Sequence, residues 1–202
     1  MGLTIHYRLR STAQSPEQAT DVVSRLRSRA LDLPFESVGD MIELTGDDCD
    51  CDRFDQDHLH RWLLIQAQSS VTDPLEQARH YCIVPLHVIA FSCWPGPGCE
   101  PANFGLCRYP EVIQVGGQDG RGHHRIETRL HGWRWSSFCK TEYARNHECG
   151  GASNSRRCHL AVVDLLQRAQ SLGIMHEVRD EAGFWENRQV LARALGLACA
   201  TP

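Results

Sequence analysis

The segment RGHHRIETRLHGWRWSSFCKTEYAR, residues 121–145, holds three of the chain's eleven histidines, two of its five tryptophans and its only lysine. From position 123 every second residue is charged, imidazole or indole: His123, Arg125, Glu127, Arg129, His131, Trp133 and Trp135. A strand brings all seven to one face. Arginine and tryptophan on one face suit an anion with a planar part, held by charge and by stacking. His123, Arg125, Arg129, His131, Trp133, Trp135 and Lys140 therefore form the expected ligand-binding set, with a small nucleotide- or phosphate-like anion as the partner. Glu127 and His131 are the acid/base candidates for any reaction there. The plainer alternative is a solvated sheet face whose arginines pair across strands with acids. That alternative explains the arginines well and two exposed indoles poorly.

Two further groups could do chemistry nearby. CGGASNSRR, residues 149–157, leads into a helix, where glycines and free amides attract anions and Arg156 and Arg157 add full charges. Cys139 precedes Lys140, whose ammonium favours a thiolate, and Cys158 sits beside Arg156, Arg157 and His159. A cysteine- or lysine-dependent enzyme is thus an alternative class, although no local signature of a cysteine enzyme is present. Lys140 stands alone against twenty arginines, and an amine is not chemically interchangeable with a guanidinium.

The densest metal-ligand set is CDCDRFDQDHLH. Cys49 and Cys51 with His58 and His60 offer two thiolates and two imidazoles within twelve residues, enough for one tetrahedral zinc. A zinc-stabilised interaction module is the third class. The spacing is not a recurrent structural-zinc pattern, and an EF-hand fails because Arg53 replaces the glycine and Leu59 the glutamate.

Composition bounds these readings. The 202 residues are 42% hydrophobic and carry a net charge of −4, which counsels against a nucleic-acid track. The charge is polarised. Residues 36–57 hold nine acids against Arg53, a balance of −8, while residues 121–157 hold eight bases against three acids, a balance of +5. The longest apolar run, YCIVPLHVIAF, is far short of the ~20 residues that span a bilayer. With no hydrophobic signal core at the N-terminus, a cytoplasmic protein without a membrane partner is expected, its ten cysteines reduced.

The elements that must position these residues follow from pattern. LTIHYRLR alternates as a strand, and Ser15-Pro16-Glu17 opens a helix with the stripe Ala19, Val22, Val23, Leu26 and Ala30. A short strand is expected around Ser37–Leu44. RWLLIQAQ reads as strand or helical turn, and YCIVPLHVIAF as a buried strand. EVIQV and HHRIETRLHGWRW form a hairpin across an Asp-Gly turn signal. Ser155 is expected to cap a helix that closes at Gly173; MHEVRD follows as a strand and ENRQVLARALG as a last helix. The whole, residues 1–202, reads as one α+β domain: a mainly antiparallel sheet with helices on one face. An offset of 140 aligns Val22, Val23, Leu26, Val38 and Asp40 with Val162, Val163, Leu166, Val178 and Asp180, suggesting related β-α-β halves at 3–45 and 135–180.

Overall fold

The computed structural model describes residues 3–51, 57–74, 79–116 and 123–188. The opening alternation is realised as β1 (Thr4–Ser11), and α1 (Pro16–Leu31) starts where expected. Ser15 is extended, its side chain accepts the Gln18 amide, and Pro16 occupies the first turn where its missing N–H costs nothing. Ala19, Val23, Leu26 and Ala30 are the buried stripe of α1.

Two expected strands are broken. Residues 37–44 give β2 (Ser37–Val38) and β3 (Ile42–Thr45), both paired with β6 (His87–Trp94). RWLLIQA is the helix α2 (Arg61–Ala67). It leads into a separate two-stranded sheet of β4 (Ser69–Thr72) and β5 (His80–Ile83). YCIVPLHVIAF is therefore not one strand. β5 stops at Ile83, ahead of Pro85, which has no N–H to give a ladder, and the chain re-enters the main sheet as β6. β7 (Ala102–Arg108) follows, with Gly105 opposite Ala90, where an added Cβ would come within 2.5 Å of the Ala90 methyl.

β8 (Val112–Gly116) and β9 (His123–Glu127) form the expected hairpin in a sheet of their own. Its Asp119-Gly120 turn lies outside the described residues, as do Asp52, Arg53 and Asp55 of the acidic segment and most of the last expected helix. β10 (Trp133–Lys140), α3 (Gly151–Ser171) and β11 (Met175–Asp180) complete the fold. Helix α3 begins at Gly151, so Ser155 is a buried residue of its second turn rather than its cap. Gly173 adopts the left-handed conformation expected of it, with φ 73°.

The main sheet has seven strands in the order β11-β1-β10-β7-β6-β2, with β3 also on β6, and every pairing is antiparallel. The protein is α+β, as its pattern implied. Following the alternating directions, β1 runs parallel to β2 and β10 parallel to β11, so β1-α1-β2 and β10-α3-β11 are both split β-α-β units. Val23 and Leu26 of the first and Val163 and Leu166 of the second are buried in one continuous core.

The two faces of the sheet are distinguished by one buried contact. His159 of α3 bonds Asp180, and Asp180 stands opposite Ile5, which stands opposite Cys139. Directly opposed residues share a face, so Ile5, Tyr7 and Leu9 point to the α3 side and are buried. His6, Arg8 and Arg10 point to the other, open side. Among the described residues no helix is long and apolar enough to cross a membrane.

Candidate functional site

The single alternating face expected over 123–135 does not exist. Strand β9 ends at Glu127. Thr128 then turns the chain, its hydroxyl donating to the Pro110 carbonyl and accepting the Leu130 amide. Arg129, at φ 57°, and Gly132, at φ 70°, both take the left-handed conformation before β10 begins. Trp133 and Trp135 are buried, 3% and 2% exposed, so their rings form core rather than a stacking platform. His123, Arg125 and Glu127 are exposed on the hairpin, and His131 is exposed 3.8 Å from Glu111.

The Gly-rich loop and the thiols are also placed differently. Arg157 is used structurally, donating to the Pro34 carbonyl and to Asn154, while Arg156 is exposed on α3. Cys139 and Cys158 are fully buried. Burial first, then Cys99 and Glu100, pushes the Cys139 thiol well above its ordinary value, the reverse of an activated nucleophile. Among the described residues no three His, Cys, Asp or Glu side chains are placed to hold a metal ion. Cys49 and Cys51 face the core, and burial pushes Cys49 up to about 11. His58 and His60 lie edge to face, 6.4 Å apart. The four expected zinc donors are not brought together.

What the fold does build is a groove of about 900 Å³ on the open face of the sheet, between β1, β10 and β11 on one side and α2 on the other. The pairing of β10 with β7 covers Trp133–Arg108 and Arg134–Cys107, and side chains take over beyond it. The Asn103 carbonyl accepts from Tyr7 Oη at 2.7 Å and from Trp135 Nε1 at 2.8 Å. Ser92 donates to Asn103 Oδ1, and Asn103 Nδ2 donates to Gln66 Oε1 at 2.9 Å. Ser137 Oγ donates to the same Gln66 oxygen at 2.6 Å. These bonds orient the Gln66 amide, and its Nε2 is left with two donors that no described residue takes up. The groove thus has a fixed polar floor.

Its walls are apolar and its rim charged. Trp62 and Ile65 of α2 face Phe138 and Pro101. Trp62 is 66% exposed, an unusual state for an indole, with the Arg61 guanidinium 4.7 Å from its ring centre. Lys140 lies 5.7 Å above the Phe138 ring and 3.6 Å from Glu100, while Arg8 meets Glu177 at 2.9 Å. His6 and Arg179 stand opposite each other on β1 and β11. Both ion pairs are exposed, so each contributes about 1 kcal/mol at most and is easily exchanged for a ligand.

The chain matches no protein-family model, no curated protein and no solved structure.

Of the residues expected to bind a ligand, Lys140 lies in the groove, and Arg129 and the buried Trp135 line a recess that adjoins it; the others lie elsewhere. Pattern reading passed over Arg8, Gln66, Trp62 and Asn103. The available signal was in β1, where His6, Arg8 and Arg10 alternate with Ile5, Tyr7 and Leu9, and in α2, where Trp62 flanks the buried pair Leu63-Leu64.

Proposed function

We propose that the protein binds a small anionic ligand with a planar part in the groove between α2 and the open face of β1, β10 and β11. The observation that carries this is the juxtaposition of an exposed indole, Trp62, with a polar floor whose Gln66 amide has unused donors. The half-buried Gln66 amide is held in one orientation with its two N–H donors open to the groove, so such a floor favours a ligand bearing acceptors. The ring would lie between Trp62 and Phe138, its edge on Gln66, with Lys140, Arg8 and Arg179 balancing its charge. A nucleotide has this combination of ring, acceptors and charge.

The test is a thermal-shift screen of nucleosides, nucleotides and other planar anions on wild type and Trp62→Ala. A ligand that stabilises wild type should lose most of its effect in the variant. An equal shift in both proteins places the ligand elsewhere and rejects the reading.

A further inference from the structure

We infer that the recess beside the groove is a phosphate subsite, formed by Arg8, Arg10, Arg129, Arg134 and His176, for an inorganic or esterified phosphate. The recess measures about 340 Å³ and shares Arg8 and Ser136 with the groove, so the two are contiguous. Arg10 and Arg134 are directly opposed on β1 and β10, and Arg8 follows on the same face. Like charges set directly opposite each other repel. Among the described residues only Arg8 of this group has a carboxylate partner, Glu177, and none is paired with Arg10, Arg129 or Arg134. Arg134 is held in place by a bond from Nη1 to the Arg129 carbonyl. That carbonyl is presented by a residue in the left-handed region, an unusual conformation for arginine. Burial foremost, and after it the neighbouring Arg10 and Arg8, lowers the Arg134 guanidinium below its ordinary value.

A fold that lines one recess with Arg10, Arg129 and Arg134, none of them paired with an acid among the described residues, incurs a repulsion that an oxyanion relieves, and arginine forks match phosphate oxygens two at a time. Assigning the phosphate to the groove ligand rests on the function proposed above: ring in the groove, phosphate in the recess. The subsite itself stands on the arginines alone.

Calorimetric titration separates the two. Inorganic phosphate, a nucleoside and the corresponding nucleoside monophosphate are titrated into wild type, Arg10→Gln, Arg134→Gln and Trp62→Ala. The expected result is that either arginine variant weakens inorganic phosphate and the monophosphate by about tenfold or more and leaves the nucleoside unchanged. Trp62→Ala should weaken nucleoside and monophosphate but spare inorganic phosphate. Arg10→Gln should also melt higher than wild type in phosphate-free buffer, a change that a misfolded variant would not show. If inorganic phosphate does not bind wild type, or binds Arg10→Gln and Arg134→Gln equally well, the subsite is overturned whatever the nucleoside does. If phosphate binds through the arginines but no ring compound binds, the subsite stands and the groove reading falls.

Discussion

Arg10 and Arg134 face each other across adjacent antiparallel strands, and neither has a carboxylate partner among the described residues. Two guanidiniums in that relationship oppose folding, and the protein keeps them on the one open face that also carries its main groove. Natural sites often give up stability for function in this way.

Screening should expose this conflict. Raising sodium chloride from about 0.01 to about 0.15 M shortens the Debye length to about 8 Å and should raise the melting temperature of wild type more than that of Arg10→Gln. The substitution itself should stabilise by roughly 0.2–1 kcal/mol at low salt. Matched melts at the two salt concentrations measure both effects.

Trp62 should matter for binding and hardly for folding. Because it is 66% exposed, Trp62→Ala should change unfolding free energy by only about 0.5 kcal/mol. Loss of stacking should weaken a ring ligand by about 1–3 kcal/mol. Urea unfolding and ligand titration of the same variant separate the two quantities.

The buried His159–Asp180 pair should be structural and pH-dependent. His159 is 2.9 Å from both Thr141 Oγ1 and Asp180 Oδ1, and its side chain is 1% exposed, so no substrate reaches it. Burial alone would raise the Asp180 carboxyl. Bonds from His159 and from the Trp185 and Ala182 amides outweigh burial and hold it below its ordinary value. A depressed carboxyl contributes stability above its unfolded pKa of about 3.9, and that stability is lost as pH falls through the folded value. Asp180→Asn should therefore cost about 3 kcal/mol near pH 7. The gap to wild type should narrow below about pH 4, as pH-resolved unfolding curves would show.

The thiols offer a check on the placement of β10. Cys82 is exposed, whereas Cys139 is fully buried and donates to the Glu100 carbonyl. A maleimide pulse on native protein, read by peptide mass spectrometry, should label Cys82 and spare Cys139 until denaturant is added. Rapid native labelling of Cys139 would contradict the burial described here.

Local signals in the chain were reliable where a residue acts on its immediate neighbours. Ser15-Pro16 set the start of α1, Gly173 marked the end of α3, and the EVIQV–HHRIE hairpin formed in a consistent register. Alternation misled at Trp133 and Trp135, because period two continues across a turn when the turn preserves parity. Gly132 was the one residue in RLHGWRW that argued for a break. The start of α3 was obscure for a different reason: Gly150 and Gly151 open it without a side-chain cap, which left Ser155 as the apparent signal. The groove could not be read along the chain at all. Its walls come from β1, α2, the approach to β7, β10 and β11, and His6 and Arg179 become neighbours only when the sheet forms.

The indole N–H resonances of the five tryptophans give the most direct test of the central claim, that a planar anion binds between α2 and the open face of the sheet. A nucleoside monophosphate is titrated into protein labelled with 15N at tryptophan, and each indole signal is assigned by substitution. The Trp62 signal should shift progressively and saturate, while those of Trp94 and the buried Trp133 stay in place. Binding that leaves Trp62 unmoved, or a full panel of planar anions that moves no indole, would contradict the account.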